Sequence, residues 1–105
     1  MTENQLEKGP DGQAWVWVII DRPGQGEQLL ALSDEREGSF VPAFRTKEDG
    51  LIGLGRLSVN LEKQQREVQA MDASEVLRLA ARAGDKVLII DGQGRVAGEL
   101  ELPES

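Results

Sequence analysis

The chain has 105 residues, of which 39% are hydrophobic and 30% charged, and this composition is typical of a single globular domain with one hydrophobic core. Nineteen acidic and twelve basic residues give a net charge of −7, which argues against nucleic acid and anionic membranes as partners, because phosphate binding requires clustered Lys and Arg. With no Cys, His or Tyr, the sequence excludes disulfides, thiol catalysis, thiolate metal sites and the commonest general base.

The N-terminal segment carries no targeting pattern. Its first twelve residues are polar and acidic, without the apolar run of a secretory signal. The longest apolar run, residues 14–20, is far shorter than the roughly 20 residues that span a bilayer. We therefore expect a cytoplasmic protein with one domain over residues 1–105, ordered over about residues 13–102 and frayed at both ends.

The first clear element is a strand. Residues 14–20 (AWVWVII) are β-branched or aromatic almost throughout, which is typical of a strand. Because both of its alternating faces are apolar, we expect this strand to be covered on both sides. A turn rich in Gly and Pro follows at residues 21–26, and residues 27–33 (EQLLALS) are predicted to return as the second strand of a hairpin.

A third strand is predicted at residues 39–44 (SFVPAF), after a charged turn at residues 34–38. Pro42 has no N–H to donate to a neighbouring strand. Its nitrogen must therefore face an edge, a bulge or solvent.

A first helix is predicted after Thr46, a suitable N-cap residue, with acidic residues in its first turn, where they interact favourably with the helix dipole. The apolar stripe of this helix is expected to consist of Leu51, Ile52, Leu54 and Leu57. Gly50, Gly53 and Gly55 each cost about 1 kcal/mol relative to Ala in a helix, so the helix must be held by packing.

The same glycines could be mistaken for a nucleotide-binding loop. Their order, G-x-x-G-x-G, reverses the dinucleotide fingerprint, and no Lys follows to bind phosphate. The apolar flanks also do not suit an RNA-binding GXXG loop. Close packing of the helix on the sheet through glycine is the favoured interpretation.

Residues 58–66 carry no decisive pattern, and residues 67–71 (EVQAM) are predicted to form a short strand. A second helix is predicted next, and a sequence signal marks each of its ends. Asp72 is the predicted N-cap of the second helix, and Glu75 completes a capping-box-like pair with it. Gly84 lies where a helix-terminating glycine belongs.

The C-terminal part is predicted to be a hairpin. Residues 86–91 (KVLIID) have the apolar pattern of a buried strand, residues 91–94 form a tight turn, and residues 95–100 form the last strand. The element order is therefore β-β-β-α-β-α-β-β. It predicts an α+β fold in which two helices pack on a mixed, mostly antiparallel sheet of five to six strands.

Two segments resemble a known family. The strand FVPAF at residues 40–44 is followed by TKED at residues 46–49, and a Trp-containing strand precedes both. In this order the chain is similar, over about residues 14–96, to the N-terminal domain of SseB-type proteins and to related bacterial domains of unknown function. The resemblance implies a small α/β module without established catalysis, and it transfers no catalytic residue. The glycine-rich residues 50–55 depart from the helix-forming residues expected there.

Carboxylates are the main candidates for chemistry, because Asp and Glu alone can support glycosidase or metal sites. Asp21 and Asp91 lie at the ends of predicted strands, and a further acidic group lies at residues 34–37. Acidic residues at turns usually shape the turn or stay solvated. Arg78 and Arg82 could form an anion-binding pair, but a solvated helix face is the favoured interpretation.

Trp15 and Trp17 are the candidate partner-binding residues. They lie two positions apart on a strand, so both side chains lie on one face, opposite the Val and Ile side chains at positions 16, 18 and 20. We assign the Val and Ile side chains to the helix-covered core and the Trp side chains to a partner surface, since Trp is enriched at interfaces. The alternative is that both Trp side chains fill the core beside Phe40 and Phe44.

Two classes of function remain open. The leading hypothesis is a non-catalytic interaction module without cofactor or metal, whose protein partner is unknown and which forms a symmetric dimer. The alternative is a small-ligand sensor or a carboxylate- or metal-dependent enzyme. The alternative requires a concave pocket with converging polar groups, whereas a module shows an apolar patch.

Overall fold

The computed structural model describes residues 7–8, 14–21, 24, 26–57 and 65–101. In chain order the elements are β1 (Glu7–Lys8), β2 (Ala14–Asp21), β3 (Gln28–Leu29), β4 (Leu32–Asp34), β5 (Gly38–Phe44), α1 (Lys47–Leu57), β6 (Arg66–Asp72), α2 (Ala73–Arg82), β7 (Lys86–Ile90) and β8 (Val96–Glu99). The predicted α+β fold, its element order and its two helices on a mixed sheet are confirmed.

The sheet is centred on β2. Trp17 has partners on both sides, Ala70 in β6 and Phe44 in β5, so these two strands lie on opposite edges of β2. The main order is therefore β6-β2-β5-β7-β8. Every pair along it is antiparallel except β5 and β7, which are parallel.

Two short strands replace the predicted strand at residues 27–33. In β3, Leu29 pairs with Ile20 of β2, whereas in β4, Leu32 pairs with Phe40 of β5. The chain thus passes from one neighbour to another within a single apolar segment. Together with β1, this division explains why the described residues form a sheet of eight strands instead of the five to six predicted.

Pro42 lies at a gap in the sheet. On the edge of β5 that meets β2 and β4, the described partners are β4 up to Phe40 and β2 from Ala43. No described strand pairs with Pro42 on that edge, so a residue without a backbone N–H is tolerated there, as expected for a proline within a strand.

The two helices cover opposite faces of the sheet. Helix α2 packs over the Val and Ile side chains of β2, which are buried, and this confirms their assignment to the helix-covered core. Helix α1 packs over the Trp-bearing face, where Ile19, Leu30 and Phe44 form a second buried cluster. No helix in the described part of the chain is long and apolar enough to cross a membrane.

Helix ends follow the sequence signals. The Oγ1 of Thr46 accepts the N–H of Asp49 at 3.1 Å, and the Oδ1 of Asp72 accepts the N–H of Ser74 at 2.9 Å. Gly84 follows the C-cap of α2 with a φ of 78°. Glu75 departs from the predicted capping box, because its carboxylate accepts a hydrogen bond from Arg78.

Glycines bring α1 against the sheet, as predicted. A Cβ at Gly53 would lie 2.6 Å from Cζ of Phe44, and one at Gly50 would lie 2.8 Å from Cγ1 of Val68. Gly55 is different, because a Cβ there would meet no atom of the described residues within 4 Å. Glycine is therefore required at positions 50 and 53, where the helix backbone lies too close to the sheet for a side chain.

This packing corrects the predicted apolar stripe of α1. Leu54 packs against the buried cluster of this face, but Leu51 and Ile52 are 49% and 41% exposed. The reason is that glycines at positions 50 and 53 face the sheet. Residues 51 and 52 are then rotated away from it by the period of the helix.

Candidate functional site

Trp15 and Trp17, the predicted partner-binding residues, are both half-buried. Trp17 packs against the buried cluster beneath α1. Trp15 lies between Glu7 of β1 and Asp72 of β6, and its buried Nε1 has no hydrogen-bond acceptor among the residues that the structure describes. Half-burial is compatible with a core role and with an interface role, so the assignment to a partner surface stays a prediction.

A continuous exposed surface runs along the outer side of α1. We call it the α1 stripe, and it consists of Glu48, Leu51, Ile52, Gly55 and Arg56. These residues follow the i, i+3, i+4, i+7, i+8 spacing of one helix face. The stripe is acidic at its first turn, apolar in its middle and basic at its last turn. This surface was not predictable from the sequence, because Leu51 and Ile52 fit the core-facing stripe expected for α1.

An apolar groove of about 170 Å³ adjoins the α1 stripe. One wall is formed by Ile52 and Gly53 of α1, and Arg56, Asp91 and Gly94 lie at the rim. The remaining lining is apolar: Leu32, Phe40, Pro42, Phe44 and Ile90. Arg56 is held over this rim, because its Nη2 donates to the carbonyl of Gly92 at 3.3 Å.

A second groove, of about 360 Å³, lies on the opposite face beside α2. We call it the α2 groove. Its apolar lining comes from β2, β3, β5, β6 and the last turn of α2: Ile20, Leu29, Val41, Met71, Leu79, Ala80 and Ala83. Its polar lining consists of Glu27, Gln28, Gln69 and Asp85.

The candidate carboxylates at turns shape those turns, as expected. The backbone N–H groups of Arg36 and Glu37 donate to the carboxylate of Asp34 and hold its pKa below the ordinary range. The backbone N–H groups of Arg95 and Gln93 lower the pKa of Asp91 in the same way. These carboxylates are engaged by their own turns.

Two of the remaining charged candidates, Asp21 and Arg78, form ion pairs. Asp21 accepts from Nε of Arg66 at 3.4 Å, and this pair is largely shielded from solvent. Arg78 binds Glu75 on the exposed side of α2, in agreement with the favoured solvated-face interpretation. Among the described residues, no three acidic side chains are grouped so that they could hold a metal ion.

Comparison with known proteins adds no relative. No family model, no curated protein and no solved structure matches this chain. The resemblance to SseB-type domains is therefore untested and stays a prediction.

Proposed function

We propose that this chain is a non-catalytic protein-interaction module that associates with a second copy of itself through the α1 stripe. The observation that carries the proposal is the exposure of Leu51 and Ile52 at the middle of a helix whose two ends carry opposite charges. Such a stripe is self-complementary. A cytoplasmic location remains part of this proposal.

Charge favours an antiparallel contact between two α1 helices. A two-fold axis through Ile52 would bring Glu48 of each copy opposite Arg56 of the other, because both residues lie four positions from Ile52. Such an axis is required for a symmetric dimer, in which one surface patch meets itself. Arg56 has five N–H donors, so it can bind Glu48 of the second copy while one donor binds Gly92.

Shape favours the same contact. Ile52 is exposed and forms one wall of the apolar groove, so each copy offers an apolar surface at the two-fold axis. The open space around Gly55 allows the backbone of the second helix to approach closely. Because one short helix buries little area, we expect a weak dimer with a dissociation constant of about 10–100 µM.

Sedimentation velocity and light scattering over a concentration series test the proposal. Ile52→Glu should abolish association, since it places two carboxylates at the two-fold axis. Glu48→Arg and Arg56→Glu should each weaken association about tenfold or more by placing like charges opposite each other. The double variant should associate more tightly than either single variant, because the opposite charges are paired again.

Arg82→Glu is the matched control. Like Arg56, Arg82 is an exposed residue in the last turn of its helix, but α2 lies on the other face of the sheet. It should leave association unchanged. A wild-type chain that stays monomeric to millimolar concentration contradicts the proposal, and a double variant weaker than both single variants excludes the antiparallel contact.

A further inference from the structure

We propose that the α2 groove binds a small organic ammonium ion that carries a short apolar chain. The groove lies on the opposite face of the sheet from the α1 stripe, so this proposal is independent of self-association. Three features of the lining define the ligand: an apolar floor, carboxylates at the rim and the C-terminal end of a helix.

The floor accepts an apolar chain. Ile20, Val41 and Ala80 are almost fully buried and form its base, while Leu29 and Met71 are partly exposed beside them. The volume of about 360 Å³ lies at the lower end of the range for small-molecule sites. Met71 has a flexible side chain that can adapt to chains of different shape.

The rim selects positive charge. Glu27 and Asp85 contribute carboxylates, although Oε2 of Glu27 already accepts the backbone N–H of Gly24 at 2.8 Å. Gln28 and Gln69 contribute amide oxygens, and no basic side chain belongs to the lining that the structure describes. The last turn of α2 also borders the groove, and the C-terminal end of a helix carries partial negative charge. The carboxylates repel an organic anion, whereas an ammonium group finds acceptors here.

Asp85 is already held in place at this rim. The Oγ of Ser39 donates to its Oδ1 at 2.5 Å, and its backbone N–H donates to the carbonyl of Ala80 at 2.9 Å. A carboxylate has about four acceptor positions, so the bond from Ser39 leaves capacity for an ammonium group. Because the side chain is ordered in advance, binding loses less conformational entropy.

Titration of the full chain with three probes of equal length tests the proposal: hexylammonium, hexanol and hexanoate. Binding is followed by two-dimensional NMR at the methyl group of Met71 and the amide groups of Gln28 and Gln69. Hexylammonium should shift these signals and bind about tenfold more tightly than hexanol, with hexanoate weakest. Asp85→Asn should weaken hexylammonium binding by about tenfold and leave hexanol binding unchanged.

Glu35→Gln is the matched control, since it removes the same charge from an exposed turn outside the groove lining. It should leave the affinity for hexylammonium unchanged, as should Ile52→Glu on the other face. Equal affinity for hexylammonium and hexanoate overturns the proposal, and so does the lack of shifts at Met71. An equal loss of affinity in Glu35→Gln and Asp85→Asn also overturns it, because net charge alone would then explain binding.

Discussion

Helix α1 contains three glycines in different surroundings, and replacing each with alanine measures how closely the helix approaches the sheet. At Gly53 the new Cβ would lie 2.6 Å from Cζ of Phe44, where ordinary contact begins at 3.4 Å. The ring of Phe44 is 2% exposed, so it has little freedom to move. At Gly55 the new methyl group meets no atom within 4 Å in the part of the chain that the structure describes.

The magnitudes follow from two opposing terms. Both replacements gain about 1 kcal/mol of helix propensity. Gly53→Ala also incurs overpacking, which costs about 1–3 kcal/mol. The propensity term cancels between the two variants, so Gly55→Ala should be more stable than Gly53→Ala by about 1–3 kcal/mol, or at least about 4 °C in Tm.

Urea unfolding followed by tryptophan fluorescence measures both variants, at a protein concentration low enough that the chain is monomeric. Gly55→Ala should be more stable than the wild type. Gly50→Ala should resemble Gly53→Ala, because its Cβ would lie 2.8 Å from Val68. Equal stabilisation by all three replacements would refute the close approach of α1 to the sheet.

Two further predictions concern Trp17 and the stability of the protein at low pH. Trp17→Ser should lower the free energy of unfolding by up to about 3 kcal/mol, because Trp17 packs against the buried cluster. If this variant instead weakens self-association and leaves stability unchanged, the partner-surface assignment is supported. Hydrogen bonds lower the pKa of Asp34, Asp72 and Asp91, with Ser74 the main donor to Asp72. Their stabilisation is therefore complete above the unfolded pKa of about 3.9 and is lost as the pH falls toward the lower folded values. Chemical unfolding between pH 6 and pH 2 checks this direction, and Asp72→Asn should reduce the loss at low pH.

Local signals in the sequence determined the elements of this fold. The apolar β2 segment required cover on both faces, and α1 and α2 provide it. The N-caps at Thr46 and Asp72 and the terminating Gly84 were predictable, because capping depends on residues only a few positions apart. The turn-shaping role of Asp34 and Asp91 was predictable for the same reason.

Only the tertiary structure decided which side of α1 faces the sheet. Leu51 and Ile52 fit a helical core pattern, but Gly50 and Gly53 lie against Val68 and Phe44, and the apolar pair is turned outward. The α2 groove depends on Glu27 and Asp85, which are far apart in the chain but line the same groove in the folded structure. Both sites arise from contacts between distant segments, and a periodic pattern within one segment does not encode which neighbour it will meet.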